Sequence, residues 1–118
     1  MTAFPYASFR IELGPGLRLG PGKVKLLELI HAEGSISAAA RGMAMSYRRA
    51  WLLVEESNRL FPAPLVESNA GGPGGGGARL TSLGLKAIAA YREIESDVAA
   101  LVDARLSAVP EFRTVAEG

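Results

Sequence analysis

Ser46-Tyr47-Arg48-Arg49 places two hydroxyls and two guanidinium groups on consecutive residues. Guanidinium groups pair bidentately with phosphate or with a guanine edge, and the hydroxyls add neutral donors. A second set of donors follows at Gly74, Gly75, Gly76 and Gly77 with Arg79, where bare backbone amides can approach an anion and a cation stands two residues on. Both sets suit a polyanion. Gly72, Gly74 and Gly77 also satisfy Gly-x-Gly-x-x-Gly, yet any run so rich in glycine meets that spacing by chance. No helix begins directly after it, and the lysine of a phosphate-binding loop and the acid of a dinucleotide site are missing. With no cysteine and one histidine, no metal cluster or nucleophile and base pair assembles. No catalytic, metal or cofactor site is expected, and His31 reads as a partly exposed helix-end residue favoured by the dipole.

The donors need elements to hold them. From Gly34 to Leu60 the chain reads as two short helices around a turn. Ser35 or Ser37 can cap an alanine-rich helix of Ile36 and Ala38 to Ala40. Gly42 permits the left-handed conformation that ends it, and Met43 to Met45 supply apolar contact within the turn. Ser46 can cap the second helix, which carries Ala50, Trp51, Val54 and Ser57 on one face and Arg48, Arg49, Glu55 and Arg59 on the other. Trp51 is assigned mainly to the core. The pattern is a helix-turn-helix whose second helix offers Tyr47, Arg48 and Arg49 to a major groove; the alternative is an ordinary amphipathic helical hairpin.

Ahead of this pair, Phe9-Arg10-Ile11-Glu12-Leu13 alternates with period two, a strand with Phe9, Ile11 and Leu13 inward that needs a partner from elsewhere. Gly14-Pro15-Gly16 and Gly20-Pro21-Gly22 break the chain before a helix over 23–33, stopped at Gly34, with Val24, Leu27 and Ile30 on one face. Behind the pair, the prolines at 62 and 64 forbid a helix. Leu65-Val66-Glu67 and Ala78-Arg79-Leu80-Thr81 then read as a hairpin turned by the glycine-rich run, with a flexible linker as the alternative. Thr81 or Ser82 can cap a last helix from 83 to about 106. Ala87, Tyr91, Ile94, Val98 and Leu101 alternate along it in steps of four and three, the spacing of a coiled-coil seam. It reads as a dimerisation helix; the alternative is that it folds back on its own domain.

The fold class expected is mainly α with a small β-hairpin. A winged helix-turn-helix occupies 1–81 with its wing at 65–81, a long dimerisation helix 82–106, and an aperiodic tail, expected to be disordered, 107–118. A chain of 118 residues, 48% hydrophobic, can bury one modest core but not two. No apolar run long enough to span a membrane and no signal-peptide pattern is present, so a cytoplasmic protein without a membrane partner is expected. Net charge is only +1. Between Ser35 and Thr81, however, Arg41, Arg48, Arg49, Arg59 and Arg79 outnumber Glu55, Glu56 and Glu67.

Taken together, Gly34-Ser-Ile-Ser37, Ala39-Ala40, Ser46-Tyr47, Ala50-Trp51, Asn58-x-Leu60, Leu65-Val66-Glu67 and the glycine-rich run through Ala78, Leu80, Thr81 and Gly84 resemble the N-terminal DNA-binding domain of the molybdenum-dependent transcriptional regulators, the ModE family. A looser likeness to LysR-type winged helices falls in the same places. The resemblance implies a homodimer on double-stranded DNA, with the second helix in the major groove and the wing on flanking phosphates. The DNA-contacting residues would be Ser35, Ser37, Ser46, Tyr47, Arg48, Arg49, Gly74, Gly75, Gly76, Gly77 and Arg79, and the dimer seam Ala87, Tyr91, Ile94, Val98 and Leu101. Two departures stand out. Nothing here corresponds to the C-terminal molybdate- or tungstate-binding domains, so a stand-alone form or a fragment is expected, with no molybdate binding of its own. Arg48-Arg49 is also more basic than the single lysine of the family pattern. The function expected is sequence-specific transcriptional regulation of molybdenum-related genes, not catalysis. The alternative is a helical dimer that binds an anionic protein or small oxyanion.

Overall fold

The computed structural model describes residues 6–69 and 76–113. The described elements run β1 (Ile11–Gly14), β2 (Leu17–Leu19), α1 (Pro21–Glu33), α2 (Ile36–Gly42), α3 (Tyr47–Asn58), β3 (Val66–Ser68), β4 (Ala78–Leu80) and α4 (Ser82–Ser107). Mostly helical, the described residues form two separate two-stranded antiparallel sheets. It divides into two compact units, Phe9–Ala89 and Ala90–Gly118 with Met1–Ser8.

In the first unit the predicted strand finds its partner at once. β1 pairs with β2 across Pro15 and Gly16, the latter at φ +74, so the three residues between the two Gly-Pro-Gly breaks form a strand of their own. Three residues are too few for a periodic signal. The register shifts between Glu12 and Gly14, leaving Leu13 as the extra residue of a bulge. That shift turns Leu13 outward at 42% exposure, against its predicted inward position. α1 opens with Pro21 in its first turn, where the missing amide hydrogen costs nothing, and ends on Gly34 at φ 80. Val24, Leu26, Leu27 and Ile30 are its buried residues.

α2 and α3 follow as read, each capped by a serine. Ser35 accepts a hydrogen bond from the Ala38 amide at 3.0 Å, and Ser46 from the Arg49 amide at 3.1 Å. The turn between them differs from expectation. Gly42 is still helical, and the left-handed residue is Ala44 at φ 53. A Cβ at Gly42 would lie 3.2 Å from Leu29 Cδ1, so the glycine serves the approach of α2 to α1 rather than the turn.

β3 and β4 pair as Val66 with Leu80, Glu67 with Arg79 and Ser68 with Ala78. Val66, Ala78 and Leu80 face inward while Glu67 and Arg79 face out, the period-two division of a half-buried hairpin. Three clamps hold the base of this hairpin. Asn58, the last residue of α3, accepts from the Leu65 and Val66 amides, both at 2.9 Å, and donates to the Val66 carbonyl at 3.2 Å. The Ala78 amide donates to the Gly34 carbonyl at 2.9 Å. Thr81 donates its hydroxyl to Pro64 O at 2.8 Å and accepts from the Gly84 amide at 3.0 Å, which caps α4. A Cβ at Gly84 would land on the Leu65 carbonyl oxygen, so this turn of α4 lies directly against the backbone before β3.

A single core joins these pieces. Leu26, Leu27 and Ile30 of α1 meet Ile36, Ala39 and Ala40 of α2 and Ala50 and Val54 of α3, and the hairpin adds Leu65, Val66, Ala78 and Leu80. Alanines at the centre let the helices approach closely. Leu83, Ala87 and Ile88 pack against the same cluster from the start of α4. Lys23 ties β2 to α3 by donating to the Arg18 carbonyl at 2.9 Å while its ammonium lies 3.1 Å from Glu56.

The second unit contains the rest of α4, then a 3-10 turn at Pro110–Phe112 where the sequence suggests only an aperiodic tail. Pro110 presets the φ of that turn, a local device that leaves no periodic trace. Tyr91 is buried at 1% exposure, and Arg92 lies over its ring at 5.9 Å while bonding Glu95 at 2.8 Å. Among the described residues, no helix is long and apolar enough to cross a membrane.

Candidate nucleic-acid interface

α3 buries Ala50, Val54 and Ser57. Ser57 settles its hydroxyl on the Leu53 carbonyl at 2.8 Å. The residues a turn away from that stripe are open: Tyr47 at 54%, Trp51 at 44% and Leu52 at 41% exposure, with Arg48 and Arg49 exposed beside them. Trp51 is therefore not a core residue. In a helix it falls about 100° from Ala50, at the edge of the buried stripe, and here that edge faces solvent. Among the described residues Arg41, Arg48, Arg49 and Arg59 have no carboxylate within ion-pair distance, whereas Arg10, Arg18, Lys23, Arg79 and Arg92 each have one. Arg41, Arg48, Arg49 and Arg59 thus carry positive charge that no carboxylate neutralises, and such charge attracts anions more strongly than neutralised pairs would.

The remaining residues singled out in the sequence fall into distinct places. Ser35 and Ser46 spend their oxygens on helix caps, and Ser37 is exposed in the first turn of α2. Gly74 and Gly75 lie outside the described residues, while Gly76 is exposed and Gly77 accepts from the Asn69 amide at 2.9 Å. Arg79 lies opposite Glu67 at 3.4 Å, with 82% of its side chain exposed. An exposed pair of this kind is worth at most about 1 kcal/mol and exchanges readily for another anion. His31 is exposed, and no group of three or more metal-ligating side chains gathers among the described residues.

A cleft of about 430 Å³ separates the first turns of α3 from the hairpin. Tyr47 and Trp51 form one wall, Ser35 and Ser37 the end at α2, and Ser68 and Asn69 the hairpin side. Asn69 and Ser68 carried no signal in the sequence, because only pairing of β3 with β4 brings them opposite α3.

Of the five seam residues on α4, Ala87 packs against the core and Tyr91 is buried. Ile94 and Leu101 are exposed at 40% and 54%, with Val98 half-buried between them. Leu106 and Phe112, at 38% and 55%, extend the exposed apolar residues toward the end of the described chain.

No protein-family model matches the sequence. The chain is homologous to several molybdenum-related proteins. It is 51% identical over 87 residues to the molybdenum-pterin-binding protein MopB of Rhodobacter capsulatus, covering 74% of this chain and 32% of that protein. Over 108 residues it is 40% identical to the molybdenum transport protein ModE of Azotobacter vinelandii, covering 91% of this chain and 40% of its relative. The DNA-binding transcriptional dual regulator ModE of Escherichia coli K12 shares 41% over 81 residues, covering 69% of this chain and 31% of that regulator. The chain spans between about a third and two fifths of the length of these relatives.

Proposed function

We propose that this chain is a winged helix-turn-helix module that binds double-stranded DNA sequence-specifically, as a homodimer, and regulates molybdenum-related genes. The observation that carries the reading is the exposed start of α3: Tyr47, Arg48 and Arg49 stand in the first turn of a helix fixed by the Ser46 cap and the buried Ala50 and Val54. A recognition helix uses its N-terminal residues to reach base edges, and arginine is the commonest reader of guanine there. α2 supports α3 from behind, and the hairpin of β3 and β4 stands where a wing contacts flanking phosphates. Arg79 on β4 exchanges Glu67 for a phosphate in this reading. The name of the Escherichia coli relative, a DNA-binding transcriptional dual regulator, points the same way, and the molybdenum link comes from the relatives' names alone.

Dimerisation uses Ile94, Val98 and Leu101 on α4, whose spacing of four and three forms one stripe. Tyr91 supports the stripe from within its own subunit, and Ala87 anchors the start of α4. The test is selection of bound fragments from genomic DNA, with and without molybdate, followed by titration of the selected duplex. An Arg48→Ala, Arg49→Ala double variant is expected to lose preference for the selected sequence while melting as cooperatively as the parent. Retained preference would refute the assignment of α3.

A further inference from the structure

Trp51 is the single tryptophan of the chain, and its exposure in the cleft needs an explanation. The cleft has no charged side chain in its lining, although arginines stand on the same helix one residue away. Its polar groups are all neutral. Among the described residues, the Ser37 and Ser68 hydroxyls, the Asn69 side-chain carboxamide, the Tyr47 hydroxyl and the Trp51 indole N–H make no hydrogen bond. Two aromatic rings therefore face a set of unused neutral donors across a trough whose rings stand open to solvent at 54% and 44%.

A free anion would find no counter-charge there. A deoxyribose-phosphate strand fits better: its sugar offers an apolar face to the rings, its phosphate oxygens accept from hydroxyl, carboxamide and indole donors, and its neighbouring phosphates can reach Arg48 and Arg49, exposed on the same helix. The position agrees, since a strand passing between α3 and the hairpin would be the one bordering a groove occupied by α3. We propose that this cleft seats the sugar-phosphate backbone of one DNA strand through uncharged groups, with Trp51 and Tyr47 as positioning residues that add affinity without reading sequence. The inference rests on the DNA-binding reading above and adds to it a contact whose strength does not depend on salt. Neutral donors release no counterions, so they leave the slope of log affinity against log salt unchanged, while each arginine on a phosphate contributes to it.

Because Trp51 is the sole indole, its fluorescence reports this contact directly. Wild-type protein is titrated with a labelled duplex followed by anisotropy, and acrylamide quenching of Trp51 is measured with and without saturating duplex. Bound duplex is expected to shield Trp51 from acrylamide. Trp51→Ala is expected to weaken binding about five- to tenfold, the loss of one neutral hydrogen bond and its apolar contact. The loss should be equal for the selected duplex and for every single base-pair change in it, with an unaltered salt slope; Trp51→Phe, which keeps an aromatic ring but has no N–H, should recover only the part due to the apolar contact. Binding with unchanged quenching would overturn the proposal while leaving the DNA-binding reading intact. So would a loss confined to particular base pairs, which would make Trp51 a base reader. Absence of any duplex binding in dilute buffer would overturn the DNA-binding reading and the role of the cleft together.

Discussion

Asn58 does more for this fold than its place in the sequence suggests. One side chain at the end of α3 satisfies two backbone amides and one carbonyl of the segment entering β3. Asn58→Ala strands those part-buried groups and should cost about 2 to 3 kcal/mol in urea unfolding, whereas Asn58→Asp, which keeps both acceptances, should cost less. Ala44 makes the opposite case. Held at φ 53 without glycine's freedom, it should gain about 1 kcal/mol on Ala44→Gly, a change that ordinarily destabilises. At this scale the sequence was legible wherever a residue type has one use. Ser46 before a helical run means a cap, and it is one; of Ser35 and Ser37, either of which could cap α2, Ser35 does so. It misled where one residue type has two uses. A glycine that ends a helix and a glycine that lets a neighbour approach are the same letter, so the sequence points to Gly42 for the left-handed residue that Ala44 supplies. Trp51 misled for a related reason: at the edge of a helical stripe, periodicity does not decide between core and surface, and a large ring suggests core.

Helices with strong apolar spacing were readable as elements, and so was the hairpin flanking the glycine-rich run. β2 was not, because a strand of three residues acquires its identity only from its partner, and the bulge at Leu13 reversed the facing that simple alternation predicts. Within α4 the spacing identified a stripe but could not apportion it between the chain's own interior and an outside partner. Tyr91 illustrates the difference. Burial raises the pKa of its phenol, Glu95 adds to the rise and Arg92 opposes it. The neutral phenol is thus the form the fold favours, so its contribution to stability is intact below about pH 10 and is lost as pH climbs through the raised value. Thermal melts across pH 9 to 11 should show a steeper alkaline decline for wild type than for Tyr91→Phe. Equal slopes would show that the phenol carries no such linkage.

For the whole molecule, the proposed function makes affinity for a duplex depend on two copies acting together. Exposed Ile94 and Leu101 leave an apolar stripe on α4, and covering it with a second copy removes that surface from water. Ile94→Lys with Leu101→Lys should therefore shift sedimentation velocity from dimer to monomer and weaken binding to a two-half-site duplex at least tenfold, while a single half-site is bound nearly as before. Separately, Arg79→Ala should lower the salt slope by about one for every sequence. The arginines at 48 and 49 that the proposal assigns to an anion stand out in the order of residues, and α3 leaves them exposed. The cleft was not, because Ser37, Trp51 and Asn69 are separated along the chain and meet only through tertiary pairing.

One further consequence lies in how the base of the β3–β4 hairpin is fastened. Asn58, Thr81 and the Gly34 carbonyl fix both legs, and the Asn69 backbone amide donates to the Gly77 carbonyl, so these contacts align the legs from outside residues 70–75. Closing a loop twice as long costs only about 0.6 kcal/mol more. A change in the length of the glycine-rich run, or a fluorophore spliced into it, should therefore leave those fastenings, and the framework they hold, in place.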